Sequence, residues 1–248
     1  MSGVKVSIIV PCMSDAHLYS LIDDLNRQTF KNFELLLVAS KEERKRINMQ
    51  KLKGLAKFDI KLITAENPVA NKRNKAVKKA RGEYVVFLDD DVKILEETWL
   101  EELVQRIEAT GYDVLGGLLL EEGDLRVGET EALPSNNIIF KKQIYIPMDT
   151  SFRHACAEDT DWCFRLYMMG YKIYQDCTAP VQHKKPPLKK RIKKHFIQGK
   201  EWAHILVKHG SLPWFRIERL LLSFLLRTFL EFLRLVGFVY GLIVYSFI

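Results

Sequence analysis

The run Glu83-Tyr-Val-Val-Phe-Leu-Asp-Asp-Asp-Val92 constrains the fold more than any other stretch of the chain. Its apolar part, Tyr84 to Leu88, reads as a buried strand. It ends abruptly in three carboxylates. Side chains alternate along a strand, so Asp89 and Asp91 project to one side and Asp90 to the other. Neighbouring carboxylates repel and are costly beside a core unless a cation sits between them. Carboxylate oxygens suit hard divalent ions such as Mg²⁺ or Mn²⁺, which are commonly shared with substrate phosphates. The run therefore reads as a metal–diphosphate site at the C-terminal edge of a sheet, or as a solvated turn rich in Asp.

The flanking sequence supplies a sheet for such a strand. Val4–Val10, closed by Pro11, and Phe33–Ala39 are apolar strands, and Ile60–Thr64 is a shorter one. Leu18, Leu21, Ile22 and Leu25 recur at helical spacing, with Ser14 or Asp15 placed to cap that helix. Lys41 to Lys57 reads as another helix, and Ala70–Ala80 as one that stops at Arg81-Gly82. Trp99, Leu100, Leu103, Val104 and Ile107 mark a helix, and Asp113–Leu120 a strand. Glu121 to Thr150 is irregular, either a substrate-facing loop region or a plain excursion. Ala157–Met169 reads as a helix ended by Gly170, followed by a strand at Tyr171–Asp176. This alternation predicts an α/β fold with a mostly parallel sheet flanked by helices. Ligands of such sheets gather at the carboxyl ends of strands, where the Asp triplet lies.

At 248 residues the chain holds one large α/β domain and an appendage. Its formal charge is +7, with the basic residues clustered late. That points to a polyanionic or membrane-surface partner for the C-terminal part, and nucleic acid is not expected. The cysteines, Cys12, Cys156, Cys163 and Cys177, show no C-x-x-C pair, so neither a zinc site nor a disulfide framework is indicated. A reducing, cytosolic environment is expected, and so is the absence of a signal peptide, because a strand pattern begins at Val4.

After Val181 the pattern becomes helical and basic, with Lys184, Lys185, Lys189, Lys190, Arg191, Lys193 and Lys194. Beyond Leu212 it becomes strongly apolar. Arg216, Arg219, Ser223, Arg227, Glu231 and Arg234 fall on one narrow helical stripe. A basic stripe beside a broad Leu/Phe face fits an interfacial membrane helix, or an amphipathic helix packed on protein. The uncharged tail after Arg234 is shorter than the ~20 residues that span a bilayer. Trp202 and Trp214 fit either an interface or a core.

Several segments then match one pattern in order: Val6-Ser-Ile-Ile-Val-Pro11, Asn71-Lys-Arg-Asn74, Ala80-Arg-Gly-Glu83 running into the Asp triplet, and Glu158-Asp-Thr-Asp-Trp162 followed by Arg165 and Gly170. Together they resemble the family 2 glycosyltransferases, inverting enzymes with the Rossmann-like GT-A fold. The resemblance covers roughly residues 4–183 and implies a GT-A catalytic domain over 1–183; the basic and amphipathic pattern of 184–248 is what leads us to expect a helical, membrane-associated region there. It also implies a nucleotide-diphosphate sugar donor and a divalent metal, Mn²⁺ or Mg²⁺. Asp91 would ligate the metal, Asp89 would contact the metal shell or the ribose, and Asp90 would assist on the nucleotide side or face solvent. The catalytic base would be Asp159, with Glu158 orienting the acceptor or the base; read without the family, both acids simply suit a helix N-terminus. Arg73 and Asn74 would line the nucleotide site, unless they are only the polar face of a Lys-rich helix. Pro11 and Cys12 would approach the nucleotide through the loop after the first strand. His183 would be a metal or phosphate ligand, or a surface residue. Asp161 reads as a helix-start residue and not as a catalyst.

One departure stands out. The family often has an acid directly after the second strand, contacting the base; here the segment is Val38-Ala-Ser-Lys-Glu-Glu43, with Ser40 or Glu42 as the substitutes. The expected acceptor is a hydroxyl of a lipid-linked glycan or a lipid, met at the cytoplasmic face of a membrane. Two other functions stay open. A sugar-1-phosphate nucleotidyltransferase would show a Gly-rich N-terminal loop, which Val10 to Ser14 lacks. A non-catalytic, membrane-bound sugar-nucleotide-binding protein is opposed by the presence of Asp89, Asp91 and Asp159 together.

Overall fold

A computed structural model describes residues 3–120, 127–154, 157–183, 188–211, 213 and 229–245. The chain begins with β1 (Val6–Pro11), α1 (Leu18–Arg27), β2 (Phe33–Ala39), the short helices α2 (Lys41–Arg44) and α3 (Met49–Leu55), β3 (Asp59–Thr64), α4 (Val69–Val77) and β4 (Tyr84–Leu88). It continues through β5 (Val92–Ile94), α5 (Trp99–Thr110), β6 (Val114–Gly116), β7 (Gly128–Glu129), β8 (Asn137–Lys141), α6 (Glu158–Met168), β9 (Ile173–Gln175) and β10 (Val181–His183). Two helices follow, α7 (Leu188–His209) and α8 (Phe229–Tyr245).

One sheet runs in the order β3-β2-β1-β4-β8-β6-β9-β7. β1 lies parallel between β2 and β4, with Ile9 opposite both Leu36 and Phe87. These strands are apolar on both faces because both faces are covered. On one side, Leu18, Leu21, Ile22 and Leu25 of α1 and Trp99, Leu100, Leu103, Val104 and Ile107 of α5 join a single core. On the other, Ala70, Ala76 and Val77 of α4 pack with Trp162, Cys163 and Leu166 of α6. The result is the three-layer α/β arrangement that the alternating pattern predicts.

The local differences from that pattern have physical causes. The segment 41–57 is two helices, because Ser40 and Asn48 each cap a new start: Ser40 Oγ accepts from Glu43 N, and Asn48 Oδ1 from Lys51 N. Neither Ser14 nor Asp15 caps α1, whose N-cap is His17 with no side-chain bond. Asp15 instead accepts from the Tyr19 hydroxyl and from Asn48 N. The strand expected to reach Leu120 stops at Gly116. At Gly117 the backbone passes so close to Asn137 and Ala179 that a Cβ would lie 2.5 Å from Asn137 Nδ2. Leu119 then bridges to Val181 instead of continuing the sheet. The irregular stretch before Thr150 holds β8, a central strand antiparallel to both β4 and β6.

A small antiparallel pair, β5 with β10, sets His183 opposite Val92 and so beside Asp91. The α7–α8 pair crosses closely at glycines: a Cβ on Gly199 would lie 1.8 Å from Arg234 O, and one on Gly237 2.0 Å from Phe196 O. Trp202 is a core residue, packed with Ile205 against Phe152, Ala157 and Phe164 of the sheet-bearing part. Arg234 does not face outward as the basic stripe requires. It is 3% exposed, with Nη2 2.6 Å from His195 Nδ1 and its guanidinium over the Trp202 ring. Arg216, Arg219, Ser223, Arg227, Trp214, Lys184, Lys185 and Cys156 lie outside the described residues, as do the side chains of Lys189, Lys190, Arg191 and Glu231. Among the described residues no helix is long and apolar enough to cross a membrane.

Candidate active site

Where β4 ends, its alternation carries on into the triplet. Asp89 and Asp91 turn toward β10, and ligand atoms of Asp89, Asp91 and His183 all lie within 4.8 Å of one another. Two carboxylates and an imidazole are a donor set that suits a divalent ion of the Mg²⁺–Mn²⁺ kind. His183 Nε2 lies 3.3 Å from Asp91 Oδ1. That contact holds the Asp91 carboxyl below its usual range and the imidazole above its own. Burial pushes Asp89 upward against the pull of Arg73, yet 36% of its side chain stays open to the cleft. Asp90 points the other way, against the backbone of Met13 after β1; burial, then Asp91, raises it to about 6.

The second carboxylate group begins α6. Asp159 Oδ2 accepts from Ser135 N at 3.0 Å and from Ser135 Oγ at 3.2 Å, while Oδ1 accepts from Thr160 N at 2.7 Å. Its orientation is thus fixed from the loop before β8 as well as from its own helix. Glu158 is 3% exposed and accepts from Arg73 Nη1 at 3.1 Å and from Ala157 N at 3.2 Å. Burial, then the neighbouring Asp159, raises its pKa to about 7.

Arg73 joins the two groups. From α4 its Nη2 donates to Asp89 Oδ1 at 3.1 Å and its Nη1 to Glu158, while the guanidinium lies over the Phe87 ring. It is 2% exposed, and its Nε has no hydrogen-bond partner among the described residues. Asp89 of the triplet and Glu158 of α6 therefore share one buried cation.

The other expected site residues have different neighbours. Asn74 spends its amide on the chain: Oδ1 accepts from the Tyr145 hydroxyl at 2.6 Å and Met148 N at 2.7 Å, and Nδ2 donates to Met148 O at 2.9 Å. Ser40 is committed to the capping box of α2. Glu42 is paired with Lys45 at the surface. The buried acid of that segment is Glu43, 2.5 Å from Lys72 Nζ. Pro11 closes β1 opposite Val38. Cys12 is buried, with its thiol pushed up to about 12 by desolvation, which makes it a small core side chain. Asp161 is fully buried, ion-paired with Arg165 and Lys208, and 2.8 Å from His209 Nε2.

Ser135, which holds the candidate base Asp159, is the candidate site residue that the sequence pattern does not single out. Its one signal is the polar run Pro134-Ser-Asn-Asn137 directly before the apolar Ile138–Phe140. Such a run marks the entry to a buried strand, where polar groups need partners. Asn137 finds them in Trp99 Nε1 and Ala179 O.

A family model described as glycosyl transferase family 2 matches residues 7–158. The amylovoran biosynthesis glycosyltransferase AmsB of Erwinia amylovora is 24% identical over 202 residues, covering 70% of this chain and 67% of that protein. The GalNAc(5)-diNAcBac-PP-undecaprenol beta-1,3-glucosyltransferase of Campylobacter jejuni is 32% identical over 127 residues, covering 49% of this chain and 40% of that protein. Among solved structures, the mannosyltransferase PcManGT from Pyrobaculum calidifontis, in complex with GDP-Man and Mn²⁺, aligns with a TM-score of 0.68 at 19% identity. That alignment covers 86% of this chain and 66% of PcManGT, and it supports the same α/β fold.

Proposed function

The chain belongs to glycosyl transferase family 2, and from that membership we propose that it moves a sugar from a nucleotide-diphosphate sugar to an acceptor hydroxyl, with inversion. The observation that supports the reading most is Arg73, whose guanidinium donates to Asp89, one of the Asp89, Asp91 and His183 cluster, and to Glu158, the neighbour of Asp159. Sugar transfer needs both: a place for the diphosphate and a base for the hydroxyl.

Asp89, Asp91 and His183 would hold Mn²⁺ or Mg²⁺, which supplies Lewis-acid neutralisation of the departing diphosphate. Asp159, held by Ser135, takes the proton from the acceptor hydroxyl as that oxygen attacks the anomeric carbon. The bond to the diphosphate oxygen breaks on the opposite face, releasing the nucleoside diphosphate. Base assistance of this kind is worth ~10²–10⁴-fold. Glu158, buried against Arg73, orients the first turn of α6 and stays out of the proton transfer.

A lipid-linked glycan or a lipid is the acceptor class we favour, reached at the cytoplasmic face of a membrane. Support comes from the undecaprenol-linked substrate in the Campylobacter relative's name. It also comes from α8, which exposes Phe232, Val236, Val239, Tyr240 and Ile243. Exposed apolar groups on one helix and a basic run at the start of α7 suit an anionic bilayer surface.

The test is a nucleotide-sugar screen with membrane lipid extract, with and without Mn²⁺ or Mg²⁺, comparing wild type, Asp159→Asn and Asp91→Ala. Transfer that survives metal removal and Asp159→Asn sinks the mechanism. Full metal-dependent nucleotide binding by Asp91→Ala removes that residue from the ligand set. For the membrane, liposome flotation of a form ending before Pro213 should weaken; undiminished flotation moves the contact elsewhere.

A further inference from the structure

We propose that Lys208 and His209, at the C-terminal end of α7, are positioning residues for the transfer reaction: through Asp161 they fix the helix that carries Asp159. The inference rests on Asp159 as the base, and it gives the C-terminal helices a part in catalysis besides any contact with a membrane.

Asp161 lies in the first turns of α6, just beyond Asp159. Its carboxylate is fully buried and has three charged or ring-nitrogen partners. Arg165 Nε donates to Oδ2 at 2.8 Å, Lys208 Nζ to Oδ1 at 2.9 Å, and His209 Nε2 lies 2.8 Å from Oδ1. Only Arg165 belongs to α6 itself. Lys208 also reaches Asp149 Oδ2 at 2.5 Å, so one ammonium ties α7 both to α6 and to the loop that leads into it.

Apolar contacts close around these bonds. Phe152 lies under Lys208 Nζ, and the His209 ring meets Phe164 edge-on. Gly210, at φ 70°, ends α7 directly after His209, and its N–H bonds back to Leu206 O at 2.8 Å. That stop sets the height at which the last turn presents its two side chains.

A buried carboxylate stripped of most of its partners is expensive, so without α7 the helix would shift to bring Asp161 toward water. α6 is stiff along its hydrogen-bonded turns, so Asp159 would move with it and strain against Ser135. A displacement of about 1 Å at a reacting group can cost about 10²-fold in rate.

The experiment uses the full chain with Lys208→Met and His209→Gln together, which remove the Lys208 ion pairs and the His209 contact while keeping most of the shape. Turnover of nucleotide sugar, to acceptor or to water, is compared with wild type, with Lys208→Arg and with Asp159→Asn. We expect kcat to fall about 10- to 100-fold with the donor KM unchanged. Lys208→Arg, which keeps a cation, should retain most of the wild-type kcat, and amide exchange in the double variant should quicken over Glu158–Trp162. Wild-type kcat in a folded double variant overturns the proposal, and so does a loss carried by KM alone. If Asp159→Asn turns over like wild type, it is the base assignment that has failed. Amide exchange then decides the latch by itself, and unchanged protection of Glu158–Trp162 rejects it. Should the double variant not fold, Lys208→Met alone is read by the same outcomes.

Discussion

The two halves of the sheet hold their functional groups by different means. β3, β2, β1 and β4 run parallel, and Asp89, Asp90 and Asp91 come straight off the end of β4. Backbone ladders and two covered faces fix that edge. β6, β9 and β7 are shorter, all four of β8, β6, β9 and β7 run in mixed directions, and the side carrying the proposed base depends on side chains that reach across loops. Ser135 holds Asp159, Asn74 holds Met148, and Lys208 holds Asp149 and Asp161. The proposed metal edge should therefore tolerate single substitutions nearby, while the side with the proposed base should loosen when one tie is cut.

The largest test of this division is Asp159→Asn. The amide keeps the shape and can still accept from Ser135, but it cannot take a proton. Transfer should fall by ~10²–10⁴ in kcat while metal-dependent donor binding, measured by calorimetry, stays near wild type. A parallel loss of donor binding would mean that the two halves are not separate in function.

Arg73→Met attacks the seam. Glu158 and Asp89 would lose the cation they share, and breaking a buried pair of this kind costs about 3–5 kcal/mol. Chemical denaturation should show a loss of that order. A loss under about 1 kcal/mol would show that water or protonation already compensates Glu158.

How far the sequence reveals each half follows from the same physics. Strands buried on both faces are continuous apolar runs, so β1, β2 and β4 are legible one by one. The Asp triplet is legible because carboxylates ending such a run need a reason. β8 is hidden because Asn137-Ile-Ile-Phe-Lys141 is short and sits among acids, glycines and Pro134. His183 could be named by residue type, but its approach to Asp91 comes from the β5–β10 pairing, which no local pattern announces. Ser135, Lys208 and His209 leave no spacing signal, since they act through tertiary bonds to residues far away in the chain. Asn74 was expected at the nucleotide, and only the fold shows its amide committed to Tyr145 and Met148.

Asn74→Ala is the gentler probe of the base side. It removes one side chain that makes three hydrogen bonds and leaves Met148 N and O in search of partners. Stability should drop by about 1–3 kcal/mol in denaturant titration. Donor KM should change little if Asn74 serves the loop; a large rise in KM with unchanged stability would return it to the nucleotide.

The smallest expected effect is a slope. Glu158 has its pKa raised from 4.5 to about 7 by burial and by Asp159. Between those values the folded protein keeps a proton that the unfolded chain has released. Its contribution to stability is therefore fully present below about 4.5 and is lost as pH rises through about 7. Metal-free protein should show a denaturation midpoint that declines across that window from this group. Glu158→Gln, which is neutral throughout, should flatten the decline while keeping an acceptor for Arg73. An unchanged slope would mean that Arg73 holds Glu158 ionised across the whole range, and the base side would then carry two charged neighbours in Glu158 and Asp159. In that case the seam through Arg73 becomes the stiffest part of the site, and the contrast between the two halves reverses there.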